Sequence, residues 1–295
     1  MKTFAAAIAL ATATIVPAGA AMAQDAAGPA TSADWIETSN AYTQKLIDFE
    51  AQFYPESASS SGYEQYDGLT FDYSPDSTER YIDGAKALRA EFAAAMASES
   101  NTFVKQDLAI LIDSLDRSIL SSELNESMML EWSELPQSIF YSIGSMLSDQ
   151  TAENRRASAV QLLNRYTGVA DGYEPYTELA KARFEASRGD GKIGPYRVEV
   201  EESIGKIPTF AAGIRELFDK YDIDGAEEAL DAMDQQFADY GEWTRDVVLP
   251  AARDEARLPE ELYALNLRNV GIDMDPREAM SQARRGFYEI RAQME

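Results

Sequence analysis

Two stretches decide the fold class of this chain: residues 82–96, IDGAKALRAEFAAAM, and residues 104–119, VKQDLAILIDSLDRSI. In both, the apolar residues recur mostly at steps of three and four, which places them on one face of an α-helix. The two stripes consist of Ile82, Ala85, Leu88, Phe92 and Met96, and of Val104, Leu108, Leu111, Leu115 and Ile119. Each stretch therefore predicts an amphipathic helix.

Helical periodicity and helix-ending residues continue on both sides of these stretches. Ser74-Pro75 supplies a capping residue followed by proline at the first helical position, so we expect the helix that contains Ile82 to begin there. Further helices are predicted over residues 34–53, 136–147, 152–166, 175–187 and 259–271, and from Pro276 onward. Between residues 195 and 248, Pro195, Pro208 and Gly225 separate three more helices, which are predicted to end near Gly205, Tyr221 and Val248. Residues 55–73 are predicted to form a structured, non-helical loop, because they contain four aromatic residues.

No stretch alternates apolar and polar residues over a strand's length. We therefore predict an all-α fold: an irregular multi-helix domain of roughly ten helices over residues 34–295. A regular helical repeat is the alternative, but the helix lengths are uneven and no repeat signature recurs.

The first residues have the order of an export signal. Lys2 supplies a positive charge, residues 4–16 are apolar, and Ala21-Met22-Ala23 fits a cleavage site. The apolar run is shorter than the roughly 20 residues of a membrane span. We predict a signal peptide over residues 1–23 with cleavage after Ala23, a disordered leader over 24–33, and a periplasmic or secreted protein. A buried N-terminal helix is the alternative.

The mature chain is strongly acidic. Loss of Lys2 leaves 25 basic residues against 51 acidic ones, a net charge of −26. Nucleic acids and anionic membranes both recruit basic surfaces, so we expect neither as a partner once the signal is removed.

The chain contains no histidine and no cysteine. Histidine-based zinc sites, Ser-His-Asp and Cys-His arrangements and imidazole catalysis are therefore excluded for this chain. The absence of cysteine excludes disulfides and thiolate chemistry. We assign no catalytic, cofactor-binding or metal-binding residue, and expect no cofactor in this chain.

Two short segments imitate ligand sites. Asp222-Ile223-Asp224-Gly225 resembles part of a calcium loop, but that register puts Lys220 at the first ligand position. Gly189-Asp190-Gly191-Lys192 resembles a phosphate loop, but Ala186 and Ile193 replace its glycine and hydroxyl residues. We interpret both segments as turns.

Paired acids and clustered aromatics have two interpretations each. Glu201/Glu202 and Glu260/Glu261 are pairs that a glycosidase could use, but in so acidic a chain solvated faces are the simpler interpretation. Tyr63, Tyr66, Phe71 and Tyr73 could line a ligand cleft or anchor their own loop. We favour loop anchoring.

Several segments together follow the pattern of one protein family. In the C-terminal part they are Gly194-Pro195-Tyr196, Ile207-Pro208-Thr209, Gly213-Ile214-Arg215-Glu216-Leu217-Phe218, Leu249-Pro250-Ala251-Ala252-Arg253, Arg257-Leu258-Pro259-Glu260-Glu261-Leu262-Tyr263-Ala264, Leu267, Gly271-Ile272-Asp273-Met274-Asp275-Pro276 and Ile290-Arg291. Near the start they are Tyr54-Pro55-Glu56 to Tyr66-Asp67 and Ser74-Pro75. These segments resemble the bacterial DUF885 family, firmly from Gly194 onward and more loosely before it.

This resemblance implies an exported, mostly helical zinc peptidase of the gluzincin type. Family members are about twice this length, and their metal-binding His-Glu motif lies in the C-terminal half. The resemblance thus implies the N-terminal part of a larger metallopeptidase-like fold, a cleft wall or lid that is catalytically inert as given. Zinc and a peptide substrate are implied only in the full-length protein.

The last predicted helix supports that interpretation. Its apolar stripe (Ala279, Met280, Ala283, Phe287, Ile290 and Met294) continues to Glu295. We therefore expect a truncated chain that packs against its own C-terminal half. The alternative is a complete, non-enzymatic helical binding protein of the periplasm.

Overall fold

The computed structural model describes residues 34–294. The predicted signal peptide (1–23) and leader (24–33) lie outside the described residues. The helices are α1 (Asp34–Glu50), α2 (Pro55–Ser60), α3 (Ser77–Ser98), α4 (Thr102–Met128), α5 (Leu135–Met146), α6 (Glu153–Arg156), α7 (Ser158–Tyr166), α8 (Tyr176–Ala186), α9 (Arg197–Lys220), α10 (Glu227–Trp243), α11 (Glu260–Asn269) and α12 (Pro276–Met294). Short 3-10 helices span Glu64–Tyr66 and Leu249–Ala251, and a π-helix spans Thr244–Val248.

The all-α prediction is confirmed. Between residues 34 and 294, β contacts are limited to two isolated bridges, Met129 with Ile193 and Tyr196 with Arg253. None of the helices in this range combines the length and apolarity needed to cross a membrane.

The first bundle consists of α1, α3 and α4, and its core includes the apolar stripes of residues 82–96 and 104–119. Phe92 and Leu108 are fully buried in its core, and Leu115 is nearly so. Helix α4 begins where the Asn101 side chain accepts hydrogen bonds from the N–H groups of Phe103 and Val104, at 2.9 and 3.4 Å. This cap satisfies two of the four donors that a helix start leaves unpaired.

The second bundle consists of α5, α7, α8, α9 and α10. Its buried centre includes Ile143, Leu163, Ile214 and Met233, each fully inaccessible to solvent. A smaller cluster of Leu130, Trp132, Phe184, Val200 and Val248 lies beside it. That cluster packs the connection after α4 against α8, α9 and the π-helix.

The structure corrects two expectations about residues 55–76. The predicted non-helical loop contains α2, because Pro55 occupies its first turn, where no N–H is needed. Helix α3 begins at Ser77 rather than at Ser74-Pro75. The Ser74 hydroxyl instead donates to Asp72 at 2.6 Å, which holds the residues before the helix in a turn.

Two further helix boundaries differ from expectation. Pro208 does not end a helix but lies inside α9, where Val200, Ile207 and Ile214 form one buried stripe around it. Burial of that stripe outweighs the roughly 3 kcal/mol that an internal proline costs a helix. The helix predicted over residues 152–166 is interrupted at Ala157, which separates α6 from α7.

Candidate functional site

The segment between α1 and α3 contains a buried carboxyl group. Oε1 of Glu56 accepts a hydrogen bond of 2.7 Å from the Phe71 N–H and one of 2.5 Å from the Tyr166 hydroxyl. Burial raises the pKa of Glu56 to about 7, although both hydrogen bonds favour the ionised form. A carboxyl group that titrates near neutrality has the acid–base property that catalysis uses.

The space beside Glu56 is too small for a substrate. A cavity of about 10 Å³ is lined there by Glu56, Ser59, Tyr66, Gly68, Leu69, Ser142, Ser145, Met146 and Leu162. That volume holds about one water molecule. Glu56 therefore connects residues 55–73 to α7. Its protonation changes the stability of the fold and has no role in a reaction.

The aromatic residues of the same segment pack inward. Phe71 meets Tyr176 and Tyr166 at ring-centroid distances of 5.0 and 5.7 Å, and Tyr73 stacks on Tyr176 at 5.8 Å. The Tyr176 hydroxyl donates to the Phe71 carbonyl oxygen at 2.7 Å. The Tyr66 hydroxyl donates to Asp48 of α1 at 2.9 Å, and Tyr63 is half-buried. These contacts are those of loop anchoring.

Two arginines, one on α6 and one on α8, bind this segment and the start of α3. Arg155 binds Asp67 through Nε and one terminal nitrogen, both at 2.7 Å, with side chains only 13% and 9% exposed. Burial alone would raise the pKa of Asp67, but hydrogen bonds from Arg155 and Ser59 lower it below its ordinary value.

Arg183 of α8 binds Glu131, the Ser74 carbonyl oxygen and the hydroxyls of Ser77 and Thr78. These contacts use all five of its donors. Such an arginine positions the start of α3 and has no donor left for a ligand.

A third feature joins segments far apart in the sequence. The Ile193 N–H donates to the Met128 carbonyl oxygen at 2.8 Å, and the Arg253 N–H donates to the Pro195 carbonyl oxygen at 2.9 Å. Gly194 lies between them, where a Cβ atom would overlap the Ala251 carbonyl oxygen. Only glycine permits this approach, so Gly194-Pro195-Tyr196 and Leu249-Pro250-Ala251-Ala252-Arg253 form one junction.

The ligand-like segments of the sequence do not converge on a metal site. Within residues 34–294, no group of three or more Asp and Glu side chains is arranged to hold a metal ion. Asp222 and Asp224 instead border an open depression of about 420 Å³. Glu201/Glu202 lie exposed on α9 and Glu260/Glu261 lie exposed at the start of α11, which fits their interpretation as solvated helix faces.

Sequence reasoning missed Glu56, Arg155 and Arg183 as organising residues. Their partners Tyr166, Asp67 and Glu131 lie 110, 88 and 52 positions away in the chain. Neither helical periodicity nor a short motif reports contacts over such separations.

The chain matches a known protein family. The model of the family described as "Bacterial protein of unknown function (DUF885)" matches residues 55–295. No curated protein and no solved structure matches this chain.

Proposed function

Because the chain belongs to the DUF885 family of bacterial proteins of unknown function, we propose that it is the N-terminal helical portion of a periplasmic zinc metallopeptidase-like protein. In this role the two bundles form a wall or lid over a peptide cleft. Zinc and the catalytic residues belong to a C-terminal half against which this portion packs. The predicted signal peptide supplies the location.

The observation that supports this role is the surface of α12. None of its residues is buried, and Phe287, Tyr288 and Ile290 are more than 60% exposed. Burying a large apolar side chain contributes about 1.5–3 kcal/mol, so an exposed row of them is a surface suited to contact with a further part of the protein.

The rival function is a complete, non-enzymatic helical binding protein of the periplasm. It needs a groove in which aromatic side chains meet a ligand. Among the described residues, Phe71, Tyr73, Tyr166 and Tyr176 are engaged with one another instead. The rival therefore has less support.

The decisive experiment compares this chain with the product of the complete reading frame that encodes it. Both proteins are purified from the periplasm, their zinc content is measured, and cleavage of a peptide library is followed by mass spectrometry. We expect zinc and chelator-sensitive cleavage only in the complete product. A complete product without zinc and without peptidase activity would overturn the proposal, and a mock purification controls for contaminating proteases.

A further inference from the structure

Helix α12 has a heptad pattern that is narrower than an ordinary amphipathic face. Met280, Ala283, Phe287, Ile290 and Met294 follow one another at steps of three, four, three and four. This alternation defines the a and d positions of a coiled-coil seam. All five side chains are exposed, and Phe287 at the centre of the seam is 61% exposed.

One flank of this seam is a row of arginines. Arg277, Arg284 and Arg291 are seven residues apart and occupy the e positions. The g positions on the other flank hold Ala279, Gly286 and Gln293, none of which is charged. We call the three e-position residues the arginine ridge.

The ridge determines which helix fits the seam. In an antiparallel pair of α12 helices, e positions meet e positions, so arginine would face arginine. In a parallel pair, e positions meet the uncharged g positions, and no ion pair forms. Charges at e and g select coiled-coil partners, so the ridge disfavours a second copy and favours carboxylates opposite it.

The described chain already contains one contact of this kind. Arg277 binds Glu260 of α11, with 3.0 Å between a guanidinium nitrogen and Oε2. The ridge also differs in sign from its surroundings. Helix α12 carries four arginines and two glutamates, a net charge of +2, on a chain whose formal net charge is −25.

We infer that the seam of α12 is the docking site for one acidic amphipathic helix, with apolar a and d residues against the seam and glutamates or aspartates against the arginine ridge. The inference deepens the proposed function and rests on it in one respect, because the helix would belong to the protein's C-terminal half. It specifies the chemistry of the contacting surface in that half, which would be an apolar helix stripe with carboxylates beside it.

The test uses the purified chain and a dye-labelled synthetic peptide of three heptads, with leucine at a and d and glutamate at e and g. Glutamate on both flanks keeps the peptide from pairing with itself. A peptide with lysine at e and g, which has the same length and the opposite charge, is the control. We expect the glutamate peptide to bind about fivefold more tightly than the lysine peptide in fluorescence anisotropy, because its carboxylates attract Arg284, which lysine would repel. Added salt should narrow the difference.

Two adjacent arginines supply a matched pair of variants. Arg284→Glu changes the ridge and should weaken glutamate-peptide binding about fivefold, whereas Arg285→Glu lies off the seam and should change it less than about twofold. Phe287→Ser should abolish binding of this peptide, because it removes the centre of the seam. Circular dichroism checks that each variant keeps its helix content.

Equal affinity for the two peptides would overturn the inference, as would an equal effect of the two arginine variants. Two other results overturn it as well: a dimer that Phe287→Ser abolishes, or binding to phosphatidylglycerol vesicles without binding to the glutamate peptide. These outcomes are independent of the zinc and cleavage assays on the complete product. The docking inference and the proposed function can therefore fail separately.

Discussion

Replacing Glu56 by glutamine should make the chain more stable at neutral pH. Glutamine has the same shape, and its Oε1 can still accept the hydrogen bonds from the Phe71 N–H and the Tyr166 hydroxyl. The substitution replaces Oε2 by an NH2 group and removes the ionisation of a carboxyl group that the fold buries. We therefore expect a gain in the free energy of unfolding, although a native side chain is replaced.

The size of this gain follows from the two pKa values of Glu56. Its pKa is about 7 in the folded chain, against an ordinary value of 4.5. The folded state holds the proton of Glu56 more tightly than the unfolded state does. The stability that this proton contributes to the wild-type fold is therefore complete below pH 4.5 and is lost as pH rises to about 7. At about 1.36 kcal/mol per pKa unit, the loss over this pKa difference is about 3 kcal/mol. Glu56→Gln does not undergo this loss.

The assay is urea unfolding, followed by circular dichroism at several pH values between 4.5 and 8. The difference in unfolding free energy between Glu56→Gln and wild type should be near zero at pH 4.5 and about 3 kcal/mol at pH 8. Glu126→Gln, which changes an exposed carboxylate on α4, serves as the control. A difference that is constant with pH, or that falls as pH rises, would refute the assignment of a raised pKa to Glu56.

Three further predictions test other parts of the chain. Arg155→Ala should destabilise the fold by about 3 kcal/mol, because it leaves the buried Asp67 carboxylate without its ion-pair partner. Arg89→Ala, at the exposed pair with Asp116, should cost less than about 1 kcal/mol. Equal losses of unfolding free energy in urea would contradict this contrast. Gly194→Ala should destabilise the fold by at least about 1–3 kcal/mol, since the added Cβ would overlap the Ala251 carbonyl oxygen. Gly205→Ala, with open space around it in α9, should stabilise the fold by about 0.5–1 kcal/mol. An unchanged unfolding free energy for Gly194→Ala would show that the junction is not close-packed. Mass spectrometry of the exported protein should find Gln24 at its N-terminus, and a mature protein that retains Met1 would disprove the predicted cleavage after Ala23.

The helices that could be predicted are those whose apolar stripes are long and unbroken. The stripes from Ile82 to Met96 and from Val104 to Ile119 lie within α3 and α4, because periodicity over several turns leaves one face to bury. Boundaries set by local chemistry were harder to predict. Pro208 is a helix breaker by itself, yet it lies within α9, because burial on both sides of it outweighs the missing hydrogen bond.

The organising polar residues could not be predicted for a different physical reason. Glu56 follows a proline in an acidic chain, and nothing nearby distinguishes it from the many solvated glutamates. Its pKa is raised by burial, and that burial depends on the packing of α7 against residues 55–73. A pKa is a property of the surroundings, so it can be inferred only after the tertiary contacts are known.

The comparison of α3 with α12 shows what periodicity leaves undetermined. Phe92 and Phe287 both lie in the apolar stripe of an amphipathic helix, yet Phe92 is fully buried and Phe287 is 61% exposed. The pattern specifies which side of a helix is apolar, but it does not specify what covers that side. For α3 the covering helices α1 and α4 lie within the described residues, so the pattern alone leads to the correct core.

For α12 the additional information lies in the flanking charges. The uniform sign of Arg277, Arg284 and Arg291 is unsuited to self-pairing and matches a carboxylate-bearing helix. The charges beside the apolar stripe thus indicate the chemistry of a helix that would fit this face, whereas the stripe alone indicates only that the face is apolar.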